Sequence, residues 1–274
     1  TSHRQRPFRF GAVVAGPADG AGWTTTARRL EQLGYSTLLV PDTMATPSPF
    51  PALTAAAVAT TTLRVGTWVL ASAYRTVGQV TRDAVTVQRL SGDRLELGIG
   101  AGRPGGEHDA ELLGMEWGTP GERVDRVERV LARLREQQDR PRLVVAGAGS
   151  RMLRLAGRYA DTLALAVPPT AGAEQLDEVV GRVRAAAGER ADALELNLQL
   201  SGVGSRLPDW ISQRMGLTAE DLLRRGAVTV VGDDPAEAAE QLRAMRERTG
   251  ISYLSVSGEF ADLFAPVVRE LAGT

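Results

Sequence analysis

Apolar positions along this chain fall into short runs that alternate with longer stretches of helical spacing. Residues 8–15 (FRFGAVVA) form the first run. Over 24–33 the spacing becomes helical, with Leu30 and Leu33 on one side and Arg28, Arg29 and Glu31 on another. Gly34 ends that helix. The pattern repeats with a strand at 36–40 (STLLV), an alanine-rich helix closing near Thr60, and a strand at 63–70 with Gly66 inside it. A helix over 77–90 places Val80, Ala84, Val87 and Leu90 in register, and a strand follows at 95–99. Residues 103–120 read as a loop or short helical excursion, and 120–138 as a charged amphipathic helix. A fifth strand at 143–146 leads to a helix ending at Tyr159, with Ser150 placed as its N-cap. The sixth strand spans 162–167 and its helix 174–187; the seventh strand spans 195–201. An irregular insertion at 202–226, with one or two helical turns, precedes a helix over 235–249, a strand at 252–256 and a closing helix over 260–271.

Eight short apolar strands, each followed by a helical pattern, predict parallel βαβ units. The pattern marks no second domain, so it predicts an α/β fold of the closed (β/α)8 TIM barrel type over residues 8–274. Residues 1–7 (TSHRQRP) are polar and basic and are expected to form a disordered tail.

Composition narrows the chemistry. A formal net charge of −1 gives no basic field for nucleic acid or an anionic membrane. The absence of cysteine excludes disulfides, thiolate metal sites and a cysteine nucleophile, and His3 and His108 alone do not make a histidine zinc site. No apolar run reaches the ~20 residues of a membrane span and the N-terminus lacks a signal-peptide core, so a cytoplasmic protein is expected. No Ser-His-Asp order or close carboxylate pair appears. Redox chemistry here requires a bound organic cofactor.

Two glycine turns stand out. The strand at 95–99 runs into Gly98, Gly100, Gly102, Gly105 and Gly106 (ELGIGAGRPGG), where backbone N–H groups can close on a bulky anion. Gly100 to Gly105 formally matches G-x-G-x-x-G, but Pro104 delays any helix and the glycines follow the fourth strand, so a dinucleotide fingerprint is a poor fit. Gly147, Ala148, Gly149, Ser150 and Arg151 form the second turn, at a helix N-terminus where N–H groups, the Ser150 hydroxyl and Arg151 could face one phosphate. Barrel active sites gather at the C-terminal ends of strands. Asp42 and Thr43 follow the second strand, and Trp68 lies near the end of the third, where it could lie against a flat ring. Tyr74, Arg75, Arg103, Glu107 and His108 lie in neighbouring loops.

The segments EQLGYSTLLVPD, LRVGTWVL with YR, LSGDRLELGIGAG, GERVDRVERVL and AGRYADTLAL, in this order, resemble the bacterial luciferase-like superfamily. The resemblance resumes at VVGDDPAEAAEQLRAMRERTGISYLSV and is nearest to actinobacterial oxidoreductases that use coenzyme F420. It implies a coenzyme lying across the C-terminal face of the barrel and a non-proline cis peptide at Trp68-Val69. It also implies coenzyme contacts at Gly100, Ala101 and Gly102 and at Gly147, Ala148, Gly149 and Ser150. A homodimer, and a separate reductase or dehydrogenase that supplies the reduced cofactor, are further implications. Two departures are informative. Where many members carry Asp-His after the second strand this chain has Asp42-Thr43, and Arg103 stands where sugar-phosphate dehydrogenases of the family have a glutamate. The pocket-covering insertion of larger members is reduced to the segment around 202–226. The resemblance thus implies an F420-dependent reductase of an activated C=C or C=N bond in a small molecule, with Thr43, Tyr74, Arg103 and His108 as candidates to protonate or orient it. Two alternatives stay open: an FMN-dependent monooxygenase fed by a flavin reductase, and a non-catalytic flavin-binding barrel.

Overall fold

The computed structural model describes residues 6–16 and 19–274. In chain order the first half comprises β1 (Arg9–Val13), α1 (Gly20–Leu33), β2 (Thr37–Val40), α2 (Pro49–Ala59), β3 (Arg64–Thr67), β4 (Leu70–Ala71) and α3 (Val77–Leu90). Then follow β5 (Leu95–Gly100), α4 (Glu107–Leu112), α5 (Pro120–Arg135), β6 (Arg142–Ala146), α6 (Ser150–Tyr159), β7 (Thr162–Ala164), α7 (Ala173–Ala187) and β8 (Glu195–Gln199). The last part holds β9 (Gly202–Val203), α8 (Asp209–Met215), α9 (Ala219–Arg224), β10 (Val230–Val231), α10 (Pro235–Thr249), β11 (Tyr253–Ser257) and α11 (Ala261–Leu271).

The main sheet runs β3-β2-β1-β11-β8-β7-β6-β5-β4, and β3 also pairs with β5, which closes it into a barrel of parallel strands. Counting β3 and β4 as one interrupted strand gives the eight of a (β/α)8 barrel. Parallel strands covered by helices are buried on both faces, so their sequences read as nearly continuous apolar runs. Leu38, Val40, Val65, Leu95, Leu97, Ile99, Leu143, Val145 and Leu163 are all fully buried. Capping boxes fix two of the helix starts, with Thr76 on Gln79 and Thr119 on Glu122.

Local chemistry moves several boundaries from their sequence-based positions. α1 begins at Gly20 because the Asp19 side chain accepts from the Gly22 N–H. The third strand breaks at the cis peptide Trp68-Val69 and resumes as β4. The sixth stops at Ala164; Leu165 still donates to the Asn197 carbonyl, but Pro168 and Pro169 carry no N–H to extend the ladder. The seventh ends at Gln199 because Ser201 turns its N–H to the Thr229 carbonyl, and Gly202–Val203 pairs with Val230–Val231 instead. Gly149, not Ser150, is the N-cap of α6; its extended backbone leads into Ser150 as the first helical residue. Most of the expected disordered tail falls on residues 1–5, which lie outside the described residues, whereas Arg6 donates to the Asp192 and Ala193 carbonyls.

Candidate active site

At the C-terminal ends of β2, β3, β5, β6 and β7, which are neighbours in the barrel, a cavity of about 390 Å³ opens. It is lined by Pro41, Asp42 and Thr43 after β2, by Trp68 to Ala71 and Tyr74, by Gly100 to Arg103, by Ala146 and Gly147, and by Ala166. Its walls are mostly apolar, with a few polar groups gathered at one side. That is the usual make-up of a small-molecule site, and the volume lies in the usual range of about 300–1,000 Å³.

The cis peptide sets the shape of one wall. After Trp68-Val69, the chain is pinned back into the sheet by Asp42, whose Oδ2 accepts from the Ala71 N–H at 3.1 Å. Arg75 holds the same carboxylate through both oxygens, at 2.7 and 3.0 Å. With its side chain only 5% exposed and both oxygens engaged, Asp42 clamps the wall in place. The Trp68 indole N–H donates to Gln199 Oε1 at 2.9 Å from the end of β8. Thr43 shares a hydroxyl contact with Thr46 at 3.2 Å.

Glycines on β5 match this wall. A Cβ on Gly98 would collide with the Thr67 carbonyl oxygen, and one on Gly100 would stand 3.2 Å from Val69. Beyond the strand, Gly102 (φ +94°) and Gly106 are filled from outside by the Trp117 ring, and a Cβ on Gly106 would also stand 2.8 Å from Tyr74 Oη. Arg123 lies over that ring at 4.3 Å and donates to the carbonyls of Ala101 and Gly118. The sequence reading took the glycines as room for a bulky anion. Much of the room is taken by Val69 and Trp117, and the close packing explains the residue type.

Asp109, in α4, organises the polar side of the cavity. It is buried, and its Oδ2 accepts from Tyr74 Oη at 3.2 Å and from Arg103 Nη2 at 2.9 Å. Burial, reinforced by the Asp109 charge, pushes the Tyr74 phenol up to about 12. Arg103 is 54% exposed, so part of its guanidinium is open to the cavity and solvent. Asp109 and Gln199 were not among the site residues expected from the sequence. The spacing Arg103, Asp109 was a possible signal for the first, and a polar residue ending a barrel strand for the second. His108, one residue from Asp109, turns outward: it is 74% exposed, lies 3.9 Å from Glu111, and does not line the cavity.

Of the second glycine turn, only Gly147 lines the cavity. Ala148, Gly149 and Ser150 continue from it to the start of α6, where no side chain caps the first N–H groups and the space around Gly149 is open. Arg151 points away onto α5, paired with Asp125 and Glu128. The cation beside this turn is Arg182 of α7, which donates to the Ala148 carbonyl at 2.9 Å. Arg151 therefore does not face the same space as the Ser150 N-terminus.

A family model described as luciferase-like monooxygenase matches residues 7–202. No curated protein matches in sequence. Solved structures match over nearly the whole chain. An F420-dependent secondary alcohol dehydrogenase, solved with an F420-acetone adduct, is 16% identical with a TM-score of 0.75, covering 97% of this chain and 98% of that one. The coenzyme F420 dependent tetrahydromethanopterin reductase of Methanopyrus kandleri is 14% identical with a TM-score of 0.72, covering 97% and 99%. EDTA monooxygenase from Chelativorans sp. BNC1 is 11% identical with a TM-score of 0.74, covering 97% and 94%. Such identities carry the fold alone; the family match carries more, and on it this chain belongs to the luciferase-like monooxygenase family.

Proposed function

We propose that this protein is a coenzyme F420-dependent reductase of an activated C=C or C=N bond in a small molecule. One observation carries the reading: Arg103 and Tyr74 are held on the single buried carboxylate of Asp109, beside an otherwise apolar cavity. Hydride addition to an activated double bond builds negative charge on the activating group. A positioned guanidinium with N–H groups to spare is a group that stabilises such charge. Removing hydride from an alcohol needs a base instead. Among the described residues lining the cavity Asp42 is the only carboxylate, and Arg75 and the Ala71 N–H occupy it.

The residues present fit the coenzyme. The apolar lining of Trp68, Val69, Ala101 and Ala146 suits a flat fused ring, and the uncapped start of α6 suits a phosphate. When bound, reduced F420 supplies a hydride. Arg103 orients the substrate's activating oxygen or nitrogen through N–H groups beyond the one given to Asp109. Tyr74 gives its one hydroxyl hydrogen to Asp109 and so braces the carboxylate that holds Arg103, while solvent at the Arg103 side supplies the proton for the atom that becomes negative. Asp42 keeps the Trp68-Val69 wall in place, and the apolar lining excludes water.

Side-by-side titration with F420 and FMN, followed by coenzyme fluorescence, tests the proposal. F420 binding tighter by tenfold or more, about 1.4 kcal/mol, supports it. The reverse preference overturns it in favour of an FMN-dependent monooxygenase, with oxygen uptake as the next assay. Binding without turnover of any enone or imine favours a non-catalytic barrel.

A further inference from the structure

The opposite end of the barrel is built from charges. Arg9, at the start of β1, bridges two glutamates: it reaches Glu96 at 2.7 and 3.3 Å, and Glu195 at 2.8 and 2.7 Å. Glu96 also accepts from Arg64 at 2.8 Å, and Glu195 from Thr162 at 2.8 Å and Arg142 at 3.3 Å. The glutamates are 1% and 5% exposed. The row Arg64, Glu96, Arg9, Glu195, Arg142 therefore sets three positive charges against two negative ones.

Charges removed from water need compensation nearby. All four glutamate oxygens are already engaged by the arginines. Among the described residues Arg142 makes one side-chain hydrogen bond, at the long end of the range, and its Nε is buried without an acceptor. Arg64 and Arg142, 26% and 40% exposed, edge a cavity of about 300 Å³ that Arg6, Pro7 and Phe8 close from the side. Arg6 adds a further positive charge, and no carboxylate besides Glu96 and Glu195 lines the space among the described residues.

We propose that this cavity at the N-terminal mouth binds a small phosphate-like oxyanion between Arg64 and Arg142, supplying the negative charge the network lacks. The site lies across the barrel from the candidate active site and stands independently of the reaction proposed above.

Thermal unfolding of the full chain in inorganic phosphate, against chloride at equal ionic strength and pH, tests it. Phosphate is expected to raise the wild-type melting temperature by a few degrees, because a ligand bound to the folded state alone stabilises it. Arg142→Gln is expected to lose most of this rise, and Arg142→Lys to keep part of it. Each variant's response is read against the same variant in chloride, so that loss of the Arg142–Glu195 contact is separated from loss of the anion. Should Arg142→Gln fail to fold, Arg64→Gln reports on the other edge of the same cavity. No phosphate response in the wild type, or the same response in wild type and variants, overturns the proposal. In the second case the anion binds elsewhere, such as at the start of α6, which every variant leaves intact.

Discussion

Tyr74 donates its phenolic hydrogen to Asp109, and the acceptor is the same oxygen that receives Arg103. One carboxylate, braced by Tyr74, therefore sets the position of Arg103, whose other N–H groups face the candidate substrate. Asp109→Ala should free Arg103 and Tyr74 to move. In the proposed reductase it should lower kcat by about ten- to a hundredfold, the range of loosened general acid–base and electrostatic help. Coenzyme affinity should change little, because Asp109 does not line the cavity. Stopped-flow hydride transfer together with a coenzyme titration separates the two effects. Because Tyr74 is pushed up to about 12, its protonated form persists across the working range. The rate should show no alkaline loss from this group below about pH 10.

Gly98 tests the packing account of the glycine-rich strand. A methyl group there meets the Thr67 carbonyl and, at 2.8 Å, Val69 Cγ1. Gly98→Ala should destabilise by about 1–3 kcal/mol, the usual cost of overpacking. Gly100→Ala, whose Cβ meets a Val69 methyl at 3.2 Å and the Ala146 carbonyl at an ordinary 3.4 Å, should cost less. Denaturant midpoints of the two variants decide the order. Equal costs would return the glycines to the ligand-cradle reading.

Much of the barrel was legible because periodicity is a property of the chain itself. The helices Val77–Leu90 and Pro235–Thr249 fall where their apolar spacing places them. Strand ends were less legible, since they depend on partners distant in sequence: Ser201 leaves the barrel for Thr229, and Leu165 makes the last bond before two prolines. The site divides the same way. Asp42, Thr43, Trp68, Val69, Tyr74, Gly100, Ala101, Gly102, Arg103 and Gly147 meet in one cavity because they lie at or beyond the C-terminal ends of strands, a place that the (β/α)8 pattern marks. Side-chain direction is not marked. His108 and Arg151 have suitable chemistry and turn outward, whereas Asp109 and Gln199 were marked only by the Arg103, Asp109 spacing and by a polar strand end, and Arg182 by no local spacing.

The Asp42 clamp should matter more to structure than to chemistry. Asp42→Ala leaves the Arg75 guanidinium, 17% exposed, without its carboxylate, and frees the Ala71 N–H. Loss of one partner from a largely buried pair costs about 3–5 kcal/mol, less here because Arg75 keeps some contact with solvent. Coenzyme binding should weaken with stability, since the wall at Trp68-Val69 loses its anchor. Arg75→Met should reproduce the binding defect. If Asp42→Ala instead kept full stability and binding but lost turnover, Asp42 would be a reacting group.

Acid should unfold the protein through a small set of carboxylates. Burial raises Glu195, but the hydrogen bonds and charge of Arg9, with the charge of Arg142, outweigh it and hold the group below its ordinary value. Burial likewise opposes the shift at Asp161, where Arg140 and the Leu143 N–H lower it. Glu31 is lowered to about 2: its slight burial is overcome by the N–H groups of Thr62, Leu63 and Thr61 and the Thr62 hydroxyl, so that it ties the end of α1 to the start of β3. In each case the folded state binds its proton more weakly than the unfolded chain does. The stability these groups contribute is complete above the ordinary carboxylate range near 4.5 and is lost as pH falls through the folded values. Urea unfolding should therefore give a plateau above about pH 5 and a decline that begins below 4.5 and continues toward 2. Glu31→Gln keeps an acceptor oxygen but cannot ionise, so its decline should be shallower between pH 4.5 and 2. An unchanged slope in that variant would remove Glu31 from the set and leave the acid response to Glu195 and Asp161.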